Sequence, residues 1–222
     1  MNIATSSSYG IQAPRLPENM ERTQIETIEE NSAITRVLLA NCDFSDLLRI
    51  NKPGVLFEQV HCWHDVFLQA CFTGIRLFDC LMERCDFSAV DWEKARLRRV
   101  EFLGCRLLGT DMVEATFDDV AFNGCTADGA MFGLAKFKSV RFERCRLRGA
   151  TFEGADLSGV VFHECDLAQA DLRGAKLYET DFSASKIDGL ILSPNDLQGA
   201  IINPQQAVQV VELLGITVKD LT

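Results

Sequence analysis

Large apolar residues recur at every fifth position along most of this chain. From Phe57 to Ile202, thirty positions keep this spacing without a break, and all but Cys62 and Ala127 carry a large apolar side chain. The residue two positions earlier is Ala, Cys, Ser, Thr or Val with four exceptions, which are Asp65, Ile75, Leu190 and Asn195. A period of five fits neither an amphipathic helix nor a half-buried flat strand. It predicts a chain that turns a corner after every five residues and points these two positions inward.

A second period of twenty residues lies on top of the first. It repeats cysteine at 85, 105, 125, 145 and 165, valine at 100, 120, 140 and 160, and alanine at 95, 115, 135, 155 and 175. Four pentads therefore make one turn of the chain, and like residues stack at the spacing of neighbouring strands, about 4.8 Å. The regular part is predicted to be a rod of about 7.5 turns and roughly 35 Å.

Two segments of the sequence show a recognisable repeat motif. Residues 155–159 read ADLSG and residues 170–174 read ADLRG, which is the A(D/N)LXX pattern. On these residues the chain resembles the pentapeptide-repeat proteins. The resemblance implies an all-β fold, the right-handed quadrilateral β-helix (a β-solenoid) with four pentapeptides per coil.

The repeat also divides the chain. Phe44 lies thirteen residues before Phe57, so the register slips between residues 45 and 54, where Lys52-Pro53-Gly54 signals a turn. We expect a tail and a segment able to cap the first coil in residues 1–30, with the first sixteen mobile. An irregular first coil and loop at 31–54 precede the repeat β-helix at 55–202, and a helix and tail follow at 203–222.

The C-terminal segment has the signals of a short α-helix. Asn203 can cap it, Pro204 suits its first turn and Gly215 can end it. One apolar stripe runs along it and consists of Ala207, Val210, Val211 and Leu214. The stripe either covers the last coil or pairs with a second copy of the chain. Residues 196–218 are similar to the ending of the Qnr-type quinolone-resistance proteins, whose C-terminal helices join two chains, and this resemblance implies a homodimer.

The nine cysteines favour packing over chemistry. Those of the twenty-residue ladder are predicted to point inward, where a cysteine behaves as a small apolar residue, as expected in a reducing compartment. Cys62 between His61 and His64 is the alternative metal cluster, but it lacks the paired-ligand spacing of a structural zinc site. The sequence contains no P-loop, Rossmann, GxSxG or HExxH motif. We therefore predict a protein without enzymatic activity, metal or cofactor.

The net charge of −10 disfavours direct binding to nucleic acid or to an anionic membrane. Neither a membrane-spanning run nor a signal core is present, so we expect a cytoplasmic protein. One face of the predicted rod carries six carboxylates against Lys94 and Arg173, and we take it as the candidate partner-binding face: Asp91, Glu93, Asp111, Glu114, Glu153 and Asp171. Two basic stretches, at residues 94–99 and 136–148, interrupt the acidity along the chain.

Outward apolar residues gather between 101 and 134, namely Leu103, Leu108, Val113, Met131 and Leu134. They form either one contiguous patch, which would indicate a partner, or ordinary scattered exposure. The sequence thus favours a scaffold or adaptor that binds another protein through a face of the rod. The family resemblance implies an alternative, a DNA mimic that occupies DNA gyrase or topoisomerase IV and protects it from quinolones or a toxin.

Overall fold

The computed structural model describes residues 10–25, 27–44, 51–213 and 215–219. The chain forms a parallel β-solenoid of about eight turns, followed by one short α-helix. The predicted fold class is therefore confirmed. The part of the register slip that falls on residues 45–50 lies outside the described residues.

The strands are short at the N-terminal end and longer in the middle of the rod. They are β1 (Glu21–Thr23), β2 (Ala33–Thr35), β3 (Val37–Ala40), β4 (Leu56–Glu58), β5 (His61–Trp63), β6 (Arg76–Glu83), β7 (Arg96–Leu103), β8 (Thr116–Asn123), β9 (Lys136–Glu143), β10 (Val161–Asp166) and β11 (Asp181–Lys186). A 3-10 turn spans Pro194–Leu197, and the helix α1 spans Pro204–Leu213.

Four flat faces follow from the pairing of these strands. Strands β6 to β9 pair in parallel with partners exactly one turn, twenty residues, apart, and each bends across two faces. Face 1 contains residues 76–78 and their partners, and face 2 contains residues 81–83 and theirs. Single bridges build the other two: face 3 runs through Asp86, Arg106 and Thr126, and face 4 through Asp91, Asp111 and Met131.

The core is a set of stacked ladders inside the four faces. Phe122 lies parallel to Phe102 and to Phe142, with ring centroids 4.8 and 4.6 Å apart. The same ladder continues through Phe162 to Phe182. Each ring is buried by the ring of the next turn, so the hydrophobic effect acts along the whole rod.

The inward cysteines do more than fill space. Cys105 Sγ donates to the carbonyl of Met82 at 3.3 Å, and Cys145 Sγ donates to that of Phe122 at 3.4 Å. Thr110 and Thr180 place hydroxyl donors in the equivalent position, each 2.8 Å from a carbonyl of the preceding turn. A small residue with one weak donor therefore suits this position because it satisfies a carbonyl inside the core.

The corners require a left-handed backbone. Gly124 has φ +62° at such a corner, and residues with side chains adopt the same region there, for example Leu134 at φ +56°. Glycine reaches this region without steric cost, which explains its recurrence at the last position of the pentad.

The first turn differs from the others by three residues. Asp43 bridges to Val66 and Asn51 bridges to Cys71, so eight residues stand where the next turn has five. Asp65 occupies an inward position there and is fully buried. Its carboxylate accepts hydrogen bonds from the backbone N–H of Cys42 at 2.7 Å and of Trp63 at 3.1 Å. This exception to the small-residue rule thus satisfies donors at the irregular turn.

Residues 10–20 lie along the corner between faces 1 and 2, and we call them the strap. The backbone N–H of Gln12 donates to Asp119 at 3.2 Å, and that of Arg15 donates to Asp79 at 3.0 Å. Three extended residues span about 10 Å, the spacing of two turns. Ile11 is a buried apolar residue of the strap itself. The sequence suggested a tail here, but backbone donors hold the strap, and they leave no periodic pattern of side chains.

Helix α1 covers the last turn of the solenoid. Asn203 and Gln206 cap each other reciprocally, with distances of 2.8 and 2.9 Å. The buried Gln206 amide also donates to the carbonyls of Phe182 at 2.8 Å and Ser185 at 2.7 Å. These carbonyls belong to the final turn, so α1 satisfies acceptors that the end of the sheet would leave open. Within the described residues, no helix is long and apolar enough to cross a membrane.

Candidate functional site

The six predicted carboxylates all lie on face 4. Asp91, Asp111 and Asp171 occupy the same position in successive pentads and take part in the bridge ladder of this face. Glu93 and Glu153 stand two residues further along their pentads, and Glu114 stands at the corner. The repeat geometry places them together, because residues twenty apart share a position on one face.

Both bases of face 4 pair with carboxylates of the same face. Lys94 Nζ lies 2.6 Å from Glu93 Oε1 and 4.0 Å from Glu114 Oε1. Arg173 Nη2 lies 2.6 Å from Asp171 Oδ2. Lys94 and Arg173 are the two bases among the six carboxylates, and both are held in ion pairs. The face therefore keeps a net excess of four negative charges.

Asp111 has carboxylate neighbours on this face. Burial raises the pKa of its carboxyl group, and the neighbouring Asp91 and Glu93 carboxylates raise it further. The backbone N–H of Val113 donates to Asp111 at 3.0 Å and opposes the shift. Because Asp91 and Glu93 add their negative charge beside Asp111, this part of the surface favours an incoming cation.

A depression of about 360 Å³ interrupts the acidic surface, and we call it the Gly133 notch. Its lining consists of Val113, Met131, Gly133, Leu134, Thr151 and Glu153. Gly133 has no side chain and therefore leaves space at the bottom of the notch. A Cβ added at this position would stand 3.8 Å from Val113 Cγ2 and 3.7 Å from the Glu153 carbonyl oxygen. Met131 is 37% exposed and Leu134 is 58% exposed.

The notch decides between the two interpretations of the outward apolar residues. Val113, Met131 and Leu134 form one patch on face 4, whereas Leu103 lies on face 2 and Leu108 on face 3. Sequence reasoning found these apolar residues but missed Gly133. Its signal was present in the sequence: every other glycine between residues 54 and 199 occupies the corner position of its pentad, and Gly133 does not.

The two basic stretches lie mainly on the other faces and are paired there. On face 1, Lys138 lies 3.0 Å and Arg98 3.9 Å from the carboxylate of Asp118. On face 3, Arg148 lies 3.3 Å from Asp166, and Arg146 pairs with Asp128. In each of these pairs a base and an acid lie on neighbouring turns, so their charges offset one another. Only Lys94 of the two stretches reaches face 4.

The residues of the predicted dimerisation stripe do not form one exposed surface. Val210 packs against the core of the last turn, and Ala207 and Val211 are half-buried. Leu214 lies outside the described residues. Val208, on the other side of α1, is 43% exposed, and Ile201 of the last turn is 45% exposed. Helix α1 therefore caps the solenoid, and the end of the rod still presents apolar side chains to solvent.

The cluster around Cys62 does not converge on one point. Cys62 is buried in the core, whereas His61 Nε2 lies 3.4 Å from Glu83 on face 2 and His64 occupies a corner with φ +56°. Among the described residues, no three His, Cys, Asp or Glu side chains are grouped so that they could hold a metal ion.

Two family models match the chain. One is described as a pentapeptide repeat region and matches residues 75–152, and the other is described as pentapeptide repeats (8 copies) and matches residues 155–193. No curated protein matches the sequence.

Several solved structures are similar to this one. HetL, a pentapeptide repeat protein involved in heterocyst differentiation regulation from the cyanobacterium Nostoc sp. strain PCC 7120, is 19% identical, with 78% of this chain and 90% of HetL covered at a TM-score of 0.48. Full-length QnrB1, a plasmid-mediated fluoroquinolone resistance protein, is 22% identical, with 89% and 99% covered at a TM-score of 0.40. A trypsin-treated form of QnrB1 is 19% identical, with 91% and 100% covered at 0.43.

Proposed function

Because the chain belongs to the pentapeptide-repeat proteins, we propose that it is a non-enzymatic scaffold or adaptor that binds another protein through face 4. One observation carries the proposal. Face 4 combines a net excess of carboxylates with exposed apolar side chains at the Gly133 notch. Protein interfaces combine an apolar centre with a polar rim in this way, whereas several bases of faces 1 and 3 are paired with carboxylates of neighbouring turns.

To test this proposal, charges on face 4 are reversed and the proteins captured from cell extract by the immobilised protein are compared. The double variant Glu114→Lys and Glu153→Lys changes two exposed residues of this face. The matched control, Glu164→Lys with Glu179→Lys, makes the same charge change on faces 2 and 1. Immobilised wild-type protein is expected to capture a protein from cell extract that the control also captures and the face 4 variant loses. Identical captured proteins for all three forms would refute the proposal.

A second candidate function has a specific observation in its favour. The carboxylates of face 4 follow the rod axis over five turns, from Asp91 to Asp171, and a line of negative charge can imitate the phosphates of a duplex. The protein would then occupy DNA gyrase or topoisomerase IV in place of DNA. The apolar notch interrupts that line in the middle, which is why we place this function second.

Gyrase assays test this second candidate directly. The purified protein at micromolar concentration should change DNA supercoiling or quinolone-stabilised cleavage by gyrase, and the Glu114→Lys, Glu153→Lys variant should weaken the effect. No change in either reaction with wild-type protein would eliminate the gyrase function and leave the scaffold function standing.

We also propose that two copies associate through their C-terminal ends. Ile201, Val208 and Ile216 expose about half of their apolar side chains near this end of the rod. Light scattering should give twice the chain mass of 24.7 kDa, and Val208→Glu should shift the protein to the monomer because it places a charge in the interface. A monomer mass at every concentration would exclude the dimer.

A further inference from the structure

The Gly133 notch has the size and the lining of a site for a side chain. Its volume of about 360 Å³ is at the lower end of the range for small-molecule pockets, roughly 300–1,000 Å³. Three of its lining side chains are apolar, those of Val113, Met131 and Leu134, and Thr151 and Glu153 complete the lining. The Leu134 side chain lies over Gly154, where a Cβ would stand only 2.8 Å from Leu134 Cδ2. The absence of a side chain at Gly154 therefore lets Leu134 form one wall of the notch.

Carboxylates flank the notch on both sides along the rod axis. Asp111 precedes Met131 by one rung of the bridge ladder, and Asp171 follows it by two rungs. With strands about 4.8 Å apart, these carboxylates lie within roughly 5 and 10 Å of the notch along the axis. Glu153 itself lines the notch. An apolar side chain that enters the notch is therefore best carried by a segment with positive charges before and after it.

We propose that the Gly133 notch receives one apolar side chain of a lysine- or arginine-rich extended segment of the partner protein. This inference rests on the proposed function, because it specifies the chemistry of what face 4 binds. The apolar side chain supplies the anchor, and the flanking bases pair with Asp111 and Glu153, since Asp171 is already paired with Arg173.

The strap shows that spaced carboxylates of this solenoid can hold an extended segment, in that case through its backbone N–H groups. Ile11 is its buried apolar anchor. The carboxylates of Asp119 and Asp79, two turns apart, accept its backbone N–H groups. Burial raises the pKa of the Asp79 carboxyl group, but the Arg99 side chain, followed by the Arg15 backbone N–H and the charges of both arginines, lowers it overall. Face 4 offers the same combination of apolar site and spaced carboxylates, and the strap lies on a different corner.

The experiment compares two synthetic peptides in fluorescence anisotropy. One is a short lysine-rich peptide with a single central leucine, and the other has serine in place of that leucine. Burial of a leucine side chain should make the leucine peptide bind the full-length protein about tenfold more tightly or better. Binding of both peptides should weaken with salt, since the carboxylates supply part of the attraction.

Two variants test whether the leucine enters the notch. Gly133→Val fills the floor, and the backbone accepts it because the φ of Gly133 lies outside the left-handed region and the Cβ contacts are ordinary. Leu134→Asn removes one wall, and asparagine tolerates the φ of +56° at that corner. Each variant should abolish the preference for leucine over serine. Ala89→Asn is the control, since it makes a matched change at a corner of face 3 with φ +54°.

Equal binding of the two peptides, or a preference for leucine that both notch variants keep, would overturn the inference. Self-association of the wild-type protein that Gly133→Val abolishes would overturn it too, since a second copy would then be the occupant. These failures leave the scaffold function untouched, because that function is judged by Glu114→Lys with Glu153→Lys in the capture experiment. Circular dichroism of each variant confirms that the solenoid remains folded.

Discussion

The middle of the rod and its N-terminal end are stabilised in different ways. Between residues 76 and 182, inward residues stack in columns one turn apart, and many columns repeat one residue type, as Phe122 does with Phe102 and Phe142. At the N-terminal end Phe44, Phe67 and Phe87 still stack, but the register slips by three residues and individual carboxylates also hold the chain. Asp65 binds two backbone donors of the first turns, and the N-terminal strap is held by Asp79 and Asp119 of the middle turns.

The difference shows that the regular turns and the irregular first turns are stabilised by different kinds of interaction. A ladder distributes its stability over many similar apolar contacts, so its pattern is visible in the sequence and each position depends on its neighbours. A single buried carboxylate contributes through a few hydrogen bonds, so its removal should act locally. Substitutions in the two regions test this comparison.

The largest effect is expected at the centre of the ladder. Phe122→Asp places a charge at a position that is 1% exposed, between two stacked rings. We expect a cost above about 5 kcal/mol and no cooperative thermal unfolding in circular dichroism. Leucine occupies the large inward position of other pentads, for example Leu107 and Leu147. Phe122→Leu should therefore lower the free energy of unfolding by only about 1 kcal/mol. A folded Phe122→Asp protein would show that this position is not in the core.

Cysteine labelling should separate the two regions without any substitution. Cys105, Cys125 and Cys145 are buried, whereas Cys71 near the N-terminal end is only half-buried. Burial also raises the pKa of Cys105, which leaves less reactive thiolate. In the native state the three ladder thiols should react at least about a thousandfold more slowly than in urea, because they require global unfolding. Cys71 should show much weaker protection in the same alkylation and mass-spectrometry experiment. Fast labelling of the ladder would mean that the register is wrong.

The sequence predicts the ladders and misses the single contacts for the same reason. Inward positions repeat at five and twenty residues, so the four faces and the acidic residues of face 4 follow from counting. The strap does not, because its contacts use the backbone N–H of Gln12 and Arg15, which every residue type except proline supplies. The notch depends on one residue without a side chain, Gly133, and its meaning appears only when Val113 and Glu153 are placed on either side of it.

The contribution of Asp65 to the free energy of unfolding should depend on pH. Asp65→Ala leaves the buried N–H groups of Cys42 and Trp63 without their acceptor, which should cost about 2 kcal/mol at neutral pH in urea unfolding. Burial raises the pKa of this carboxyl group in the folded protein, although both backbone donors oppose the shift. A raised folded pKa means that wild-type protein gains stability as the pH falls through that value. The cost of Asp65→Ala should therefore grow towards acid pH and level off below the ordinary aspartate pKa. A cost that shrinks on acidification would contradict this account.

The smallest effect is expected where the strap meets the ladder. Asp119→Ala removes the acceptor for the Gln12 N–H and should cost about 1 kcal/mol of local stability, which increases the open population of the strap about fivefold. Trypsin should then cleave after Arg15 about five times faster, while the thermal midpoint of the solenoid stays unchanged because the Phe122 ladder is intact. Asp118→Ala is the matched control, since Asp118 pairs with Arg98 and Lys138 on face 1. If both variants accelerate cleavage equally, surface charge rather than the Asp119 hydrogen bond holds the strap. A fall in the midpoint with Asp119→Ala would show instead that the strap and the ladders unfold as one unit.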